Sequence, residues 1–359
     1  MRIALSTGGG DAPGLNAVIR AAVLSSRTRG WDVLGIKRGY AGLMGEDDVV
    51  PLTTDSVKGI GGLGGTILGT TNRGSPLAYP VKQPDGTWKD VDRSDELIAN
   101  ARYLGIEAII SIGGDGSLKI ASQLAAKGMR IISVPKTIDN DVPGTVTTFG
   151  FDTAVNTAME AIDKLHTTAE SHDRVMVLEV MGREAGFIAL HAGVAGTADV
   201  ILIPEIDWDI ESVCEKIRTR DASGRRFSIV VVAEGAKPKG GNESIIGASM
   251  PGQERRLGGI AERLGFEIQQ RTGKEVRSMV LGHLQRGGSP TGYDRLLATR
   301  FGAAAVQAVA DKQWGHMVAL QSPNLVCIPI EEVLRETKRV DPSHDVVQAA
   351  RMTGISFGD

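Results

Sequence analysis

The sequence predicts an α/β fold whose largely parallel sheets are covered by helices on both faces. Three observations lead to this expectation. Short β-branched runs alternate along the chain with longer segments of helical periodicity. The predicted strands are nearly uninterrupted in apolar residues, as in strands buried on both faces. Finally, many of the 46 glycines form short clusters, and several clusters follow directly after a predicted strand.

The individual elements follow from these patterns and from the residues at their ends. Strands are expected at Arg2–Ser6, Val33–Lys37, Ala108–Ile112, Arg130–Val134, Val175–Val180, Val200–Ile203, Ser228–Ala233 and Val276–Leu281. Helices are expected at Asn16–Arg29, Ser94–Leu104, Ser117–Ala126, Ala154–Ser171, Glu211–Arg220, Gln253–Arg271 and Gly292–Val309. Asn16 and Ser94 have the chemistry of N-caps, and Gly30, Gly105 and Gly128 stand where helices commonly end.

Composition limits the classes of function. The 359 residues suffice for two domains, and 42% apolar with 23% charged residues is typical of a soluble globular protein. A net charge of −3 argues against a nucleic-acid binder, and no apolar run approaches the ~20 residues of a membrane helix. Without a signal-peptide pattern and with only Cys214 and Cys327, expected as reduced thiols, the chain is expected in the cytoplasm.

Two glycine-rich loops are candidate phosphate sites, because ligands of such folds collect beyond the carboxyl ends of the strands. The first is Gly8–Asn16, where a structural turn and an anion site are equally good interpretations. The second is Gly113-Gly114-Asp115-Gly116-Ser117, which follows an apolar strand and precedes a helix. Its amides suit phosphates and Asp115 suits Mg²⁺. The same pattern occurs in NAD kinases and diacylglycerol kinases, so it indicates phosphoryl transfer and leaves the substrate open.

Two further segments carry candidate residues. In the stretch 59–73, Arg73 could neutralise phosphate charge, although a loop without a ligand role is an even alternative. The segment Pro135–Asp141 contains Thr137, Asp139 and Asp141 after a strand expected beside the Gly113–Ser117 strand. Paired carboxylates near a threonine suit activation of a hydroxyl nucleophile, and an Asx-rich turn is the structural alternative.

These motifs together resemble the 6-phosphofructokinases. The resemblance is carried by Gly-Gly-Asp-Gly-Ser at 113–117, Lys-Thr-Ile-Asp-Asn-Asp at 136–141, Met-Gly-Arg at 181–183, Glu-Gly at 234–235, Gly-His-Leu-Gln-Arg-Gly-Gly-Ser-Pro at 282–290 and the loop at 10–16. It covers roughly residues 1–310 with the motifs in the family order. The chain looks most like the branch that contains both ATP-using and pyrophosphate-using enzymes.

The resemblance implies an architecture and partners. We expect two three-layer α/β/α domains with largely parallel sheets and the active site in the cleft between them. The phosphoryl-donor domain is expected at 1–138 plus part of the C-terminal region, the sugar-phosphate domain at 139–310, and a helical or interface segment at 311–359. Fructose 6-phosphate and ATP with Mg²⁺ are the expected ligands, and a homodimer or homotetramer with shared active sites is expected.

The resemblance also implies residue roles on the donor side and at the reacting centre. Asp139 would take the proton of the C1 hydroxyl, with Thr137 and Asp141 positioning that centre. Arg183 would stabilise the transferring phosphoryl group. The implied ATP-binding residues are Gly10, Arg73, Gly114, Asp115, Gly116 and Ser117, and the implied metal ligands are Asp115 and Asp141.

On the sugar side, the resemblance implies that Met181, Gly182 and Glu234 contact the sugar, while His283 and Arg286 bind its 6-phosphate. Two further arginines would reach the same phosphate from a neighbouring subunit. They are Arg174 and Arg277.

The phosphoryl donor is predicted from two positions that point in opposite directions. Pyrophosphate-using relatives typically carry aspartate where this chain has Gly116 and lysine where it has Lys136. Gly116 carries more weight, because a carboxylate there would repel the α-phosphate of ATP. We therefore predict ATP. The alternatives are a pyrophosphate-dependent enzyme, a kinase of the NAD or lipid type, and a non-catalytic sugar-phosphate sensor on the same fold.

Overall fold

The computed structural model describes residues 1–45, 49–72, 75–247 and 257–359. The strands are β1 Arg2–Thr7, β2 Asp32–Ile36, β3 Val49–Leu52, β4 Tyr79–Lys82, β5 Trp88–Val91, β6 Ala108–Gly113, β7 Ile131–Pro135, β8 Val175–Val180, β9 Val200–Leu202, β10 Ser228–Ala233, β11 Val276–Val280, β12 His316–Gln321 and β13 Asn324–Pro329. The α-helices are α1 Leu15–Thr28, α2 Ser94–Tyr103, α3 Asp115–Ala126, α4 Phe151–Ser171, α5 Phe187–Ala195, α6 Ile210–Ala222, α7 Ile260–Thr272, α8 Gly292–Ala310, α9 Ile330–Val333 and α10 Asp345–Met352.

The described part of the chain divides into two compact units. Unit 1 contains Met1–Ile138, Val142–Asp152 and Arg286–Thr337. Unit 2 contains Asp139–Asp141, Thr153–Gln285 and Lys338–Asp359. The first segment of unit 1 ends at Ile138. Its last segment begins at Arg286, and the helix α8 of that segment packs on α1.

Unit 1 is built on a seven-stranded sheet among the described residues, in the order β13-β12-β7-β6-β1-β2-β3. The pairs from β12 to β2 are parallel, and the two edge strands are antiparallel to their neighbours. Alternate strand residues face opposite sides, as the pleat requires. Ile3 and Leu5 join a core with α1 and α8, whereas Ala4 joins a second core with α2 and α3.

Unit 2 is built on a parallel sheet that, over residues 153–247 and 257–285, has the order β11-β8-β10-β9. Val175, Val230 and Leu202 lie in one core with apolar residues of α6 and α7. On α6, the Asp209 carboxylate caps the first turn by accepting from the amides of Glu211 and Ser212 at 2.8 and 3.3 Å. The helix α5 packs against β9 and β10. Helices therefore cover both units as predicted, and the predicted α/β class with largely parallel sheets is confirmed.

The structure corrects two predicted helix caps. Asn16 lies inside α1, because Gly14 in the left-handed conformation ends the preceding loop and is the N-cap. Ser94 is the first residue of α2 after the N-cap Arg93, and its amide donates to the Asp92 carboxylate at 2.8 Å. The first residues of the predicted helix Gln253–Arg271 lie outside the described residues. In the described part, the helix begins at Ile260. Across the described residues, the structure contains no α-helix long and apolar enough to span a membrane.

Candidate functional site

In unit 1, the two predicted phosphate loops lie side by side because they follow adjacent parallel strands, β1 and β6. The amide of Gly8 donates to the carbonyl of Ile112 at 2.9 Å. The buried hydroxyl of Ser117 fits against both loops: a Cβ built on Gly113 would overlap its Oγ, and one on Gly8 would lie 2.7 Å from it. Glycine is therefore required at Gly113, where a Cβ would also overlap Ser117 Cβ, and an added Cβ at Gly8 would displace the Ser117 hydroxyl.

The amino end of α3 presents an exposed carboxylate and an open position. Asp115 is the first residue of α3, is exposed, and pairs with Lys119 at 2.6 Å. Gly116 is also exposed, and a Cβ built there would meet no heavy atom of the described residues within 4 Å. First-turn amides of a helix lack intrahelical acceptors and attract anions. This end of α3 therefore suits an anionic ligand and has room beside Asp115.

The third glycine stretch is held against the first loop. The Asn16 carboxamide donates to the carbonyls of Leu63 and Gly64 at 3.2 and 3.1 Å and accepts from the amide of Ile67 at 2.9 Å. The amide of Gly9 donates to the carbonyl of Thr71 at 3.1 Å. The stretch is thus part of the phosphate-loop assembly. The candidate Arg73 lies outside the described residues.

Two cationic side chains of unit 1 contact the first loop. The buried Lys136 donates through Nζ to the carbonyl of Gly10, and the guanidinium of Arg286 donates to the carbonyl of Asp11 at 3.1 Å. A Cβ on Gly10 would lie 2.7 Å from Arg286 Nη1. The structure thus places Arg286 with the donor-side loop in unit 1, whereas its predicted partner His283 belongs to unit 2 and is exposed.

The carboxylate segment spans both units along the chain. Thr137 belongs to unit 1, where its carbonyl accepts from the Thr148 hydroxyl at 2.8 Å. Asp139 and Asp141 belong to unit 2 and are half-buried. Between them, the buried Asn140 has a φ of 55° and accepts from Lys338 Nζ at 3.2 Å. Burial lowers the pKa of Lys338 to about 8, and the nearby Asp141 opposes this shift.

In unit 2, the predicted sugar residues meet because they follow the adjacent parallel strands β8 and β10. The amide of Gly235 donates to the carbonyl of Gly182 at 3.1 Å, and a Cβ on Gly235 would overlap the carbonyl oxygen of Arg183. The fully buried Gln285 accepts from the amide of Met181 at 2.8 Å. These contacts bring Met181–Arg183, Glu234 and the segment that contains His283 together at one end of the sheet.

The other two predicted phosphate ligands lie at the opposite end of this sheet. Arg174 precedes β8, and Arg277 is paired in register with Met176 near the start of β8. Both arginines form ion pairs with Glu275, and the distance from Arg174 to its carboxylate is 2.8 Å. The hydrogen bond from Arg174 lowers the pKa of the Glu275 carboxyl. Six residues of β8 separate Arg174 from Met181, which corresponds to about 20 Å of strand. Within unit 2 of a single chain, these two arginines are therefore remote from the residues predicted to contact the sugar.

Sequence reasoning missed two residues that organise the site in unit 2. Gln285 lies inside the matched segment 282–290, and its position between His283 and Arg286 was an available signal. Lys338 had no sequence signal, because it contacts Asn140 from 198 residues away. Within the described residues, no group of three or more His, Cys, Asp or Glu side chains is arranged to hold a metal ion.

The fold and these loops define a class of protein: a two-unit α/β protein whose strand-end loops suit phosphate-bearing ligands. Comparison with known proteins then gives the family. The chain belongs to the phosphofructokinase family, whose profile, described as Phosphofructokinase, matches residues 2–309. The family predicted from the motifs is thereby confirmed.

Relatives of known name span the whole chain. It is 53% identical over 358 residues to the ATP-dependent 6-phosphofructokinase of Chloroflexus aggregans, covering 100% of this chain and 98% of that protein. It is 49% identical over 346 residues to the pyrophosphate–fructose 6-phosphate 1-phosphotransferase of Streptomyces coelicolor, covering 96% and 97%.

Solved structures agree on the fold. The phosphofructokinase of Pichia pastoris matches with a TM-score of 0.79 at 29% identity, over 98% of this chain and 36% of that longer chain. A pyrophosphate-dependent phosphofructokinase of Nitrosospira multiformis matches with a TM-score of 0.80 at 21% identity, over 100% and 92%. The second likeness concerns the fold alone.

Proposed function

We propose that the chain is an ATP-dependent 6-phosphofructokinase of glycolysis. It transfers the terminal phosphoryl group of ATP to the C1 hydroxyl of fructose 6-phosphate. The observation that carries the proposal is the amino end of α3, where exposed Asp115 adjoins the open position at Gly116. Seven relatives that are 44–53% identical over 358–362 positions carry the ATP-dependent name, among them those of Chloroflexus aggregans and Clostridium perfringens.

Donor binding is assigned to unit 1. The amide of Gly10 and the first-turn amides of α3 receive phosphate oxygens, since both segments follow the carboxyl ends of adjacent strands. Lys136 adds a positive charge that is fixed by its bond to the Gly10 carbonyl. Because Gly116 has no side chain and lies in open space, the α-phosphate and nucleoside of ATP can be accommodated there.

Magnesium fits this arrangement. Asp115 supplies an exposed hard oxygen donor, and the described residues contain no three-residue cage for a metal. Mg²⁺ characteristically keeps water and takes its other ligands from substrate phosphates and one or two carboxylates. Asp115 would therefore hold the ion, with Asp141 as the second predicted carboxylate. When bound, the ion neutralises charge on the phosphates.

Catalysis is assigned to the segment that contains Asp139. Its carboxylate accepts the proton of the C1 hydroxyl during transfer, while Thr137 and Asp141 position the reacting centre. Arg183 stabilises the charge of the transferring phosphoryl group. Phosphoryl transfer requires mainly positioning and electrostatic stabilisation, which these residues can supply without a covalent intermediate.

Sugar binding is assigned to unit 2. Met181, Gly182 and Glu234 contact the sugar, Glu234 as a charge-assisted acceptor of ring hydroxyls. His283 binds the 6-phosphate. Arg286 is proposed for the same phosphate, although its guanidinium contacts the Asp11 carbonyl in unit 1.

Shared active sites in a dimer or tetramer explain the position of the two remaining arginines. Arg174 and Arg277 lie about 20 Å along β8 from Met181 in their own chain. A symmetric partner could supply them to the 6-phosphate instead. We place the enzyme in the cytoplasm, where glycolytic substrates occur.

The proposal is tested by measuring fructose 1,6-bisphosphate formation from fructose 6-phosphate and ATP, with Asp139→Asn as the variant. The amide cannot accept the proton, so kcat should fall by about 100-fold or more while both KM values stay within a few-fold. Normal turnover by the Asn variant would refute the assigned mechanism.

A pyrophosphate-dependent enzyme is the second candidate, and one observation favours it. Lys136, which the pyrophosphate users of the family typically share, is buried against the donor loop, and the Streptomyces coelicolor relative carries that name. The room at Gly116 favours ATP, because pyrophosphate has no α-phosphate or nucleoside to accommodate.

A further inference from the structure

The chain that follows unit 1 begins with Lys338, Arg339 and Val340, and this short segment contacts functional loops of unit 2. No motif of the sequence analysis includes it. The segment is half-buried at its first residue and buried at its third, and specific contacts hold it. Those contacts lie on the loop of the proposed proton acceptor and on the loop after Arg183.

Lys338 makes three contacts around the Asp139–Asp141 loop. Its amide donates to the carbonyl of Asp141 at 3.0 Å. Its ammonium group donates to the side-chain oxygen of Asn140 at 3.2 Å. The same ammonium lies 5.1 Å from the ring centroid of Phe187, a cation–π contact. Backbone and side chain of Lys338 are therefore both fixed to this loop.

The next two residues fix the segment to the loop that follows Arg183. Arg339 pairs with Glu184 at 3.2 Å. The amide of Val340 donates to Glu205 Oε1 at 2.8 Å, and the same carboxylate accepts from the amide of Gly186 at 3.0 Å. One half-buried carboxylate thus joins the terminal segment to the start of α5. These bonds hold the Lys338 backbone in place independently of its ammonium group.

The position of Asn140 explains why its side chain matters. Asn140 has a φ of 55°, a region that asparagine tolerates better than most residues but that still needs support from its surroundings. Its two peptide planes lead directly to Asp139 and Asp141. A shift at Asn140 therefore moves both carboxylates. Lys338 also brings a positive charge near the carboxylate of Asp141, which attracts it.

We propose that Lys338 is a positioning residue for the phosphoryl transfer: its ammonium group holds Asn140 and thereby the orientation of Asp139. The role rests on the proposed function, since it acts through the proposed proton acceptor. Because Lys338 reaches the loop through Asn140, it affects the reaction step more than the binding of either substrate. A misplacement of about 1 Å at a reacting group can cost up to about 100-fold in rate.

The test compares Lys338→Met and Lys338→Arg with wild type, using steady-state kinetics for both substrates on purified full-length protein. We expect Lys338→Met to lower kcat about 10- to 100-fold, with both KM values within about threefold of wild type. Lys338→Arg retains a positive charge. Its kcat should recover at least half of the decrease in log kcat that Lys338→Met shows. Lys312→Met, an exposed change after α8, is the matched control and should leave kcat unchanged.

The remaining outcomes separate this role from a structural one. If Lys338→Met does not fold, Lys338→Gln, whose shorter and uncharged side chain lacks the ammonium group, carries the same expectation. A kcat within threefold of wild type, a rise in the fructose 6-phosphate KM alone, or an Arg variant no better than the Met variant would each overturn the inference. Wild-type protein without fructose 6-phosphate kinase activity would instead overturn the proposed function, and the positioning role with it.

Discussion

Replacing Gly116 with aspartate is expected to reduce the use of ATP strongly and to leave the fold intact. Gly116 is the second residue of α3, it is exposed, and an added Cβ would meet open space. An acidic side chain in the first turn of a helix is favourable to the helix. The substitution therefore places a negative charge at the proposed α-phosphate position without a steric penalty inside unit 1.

The magnitude follows from the exposure of the position. Two unit charges at 4 Å repel by about 4 kcal/mol at an effective dielectric of 20 and by about 1 kcal/mol in bulk water. Gly116 is exposed at the protein surface, so the expected loss lies between these limits. This range corresponds to a decrease of about 5- to 1,000-fold in kcat/KM for ATP.

The assay is the initial rate of fructose 1,6-bisphosphate formation at varied ATP and at varied pyrophosphate, with equal free magnesium. Gly116→Asn matches the aspartate in shape without the charge, and Gly116→Ala adds only a Cβ in open space. Both controls should keep kcat/KM for ATP within about fivefold of wild type, because neither adds a charge. An Asp variant that uses ATP as well as the Asn variant does would refute the electrostatic reasoning.

Three further changes test other parts of the structure. Burial raises the pKa of Tyr40 to about 12, so this phenol stays protonated in the folded state while the unfolded state ionises near 10. Stability should therefore fall by about 2–3 kcal/mol between pH 10 and 12, a loss absent in Tyr40→Phe, measured by urea unfolding across this pH range. Gly235→Ala should destabilise the protein by about 1–3 kcal/mol and raise the KM for fructose 6-phosphate, since its Cβ would overlap the Arg183 carbonyl. Equal mixtures of the inactive variants Arg174→Met and Asp139→Asn, reassembled into mixed oligomers, should regain up to about a quarter of wild-type activity if neighbouring subunits share active sites.

Each of these three predictions would be contradicted by a specific result. Equal alkaline stability loss in wild type and Tyr40→Phe would show that another group titrates. Gly292→Ala, where an added Cβ meets no heavy atom of the described residues within 4 Å, is the control for Gly235→Ala and should be neutral. Equal effects of the two alanines would exclude the packing explanation. Mixtures no more active than the separate variants would show that Arg174 serves its own chain or has no role.

The central strands and their loops were predictable because their signals are local. Apolar runs such as Ala108–Ile112 predict buried strands on their own, and the glycines that follow them mark the carboxyl ends where ligands gather. The strand that leads into the Asp139 segment was expected beside the strand that precedes Gly113–Ser117, and the parallel pairing of β7 with β6 confirms this. The pairing of β1 with β6 places the two phosphate loops together. The family resemblance added the order of the motifs and the residue roles.

Long-range features were not predictable from the local pattern. The strand β12 pairs with β7 across more than 180 residues, so the chain after Arg286 returns to unit 1, and no local signal indicates this return. Asn16 has the chemistry of a cap, yet the glycine-rich segment uses its carboxamide. Lys338 contacts Asn140 only because the terminal segment joins unit 2.

The most direct test of the central claim is the phosphoryl donor of the wild-type enzyme. Initial rates with fructose 6-phosphate should be measured with ATP and with pyrophosphate in parallel, at equal free magnesium and with product identified by its phosphorylated carbon. We expect turnover with ATP, product phosphorylated at C1, and a kcat/KM for pyrophosphate at least about 100-fold lower than that for ATP. Turnover with pyrophosphate and none with ATP would contradict it.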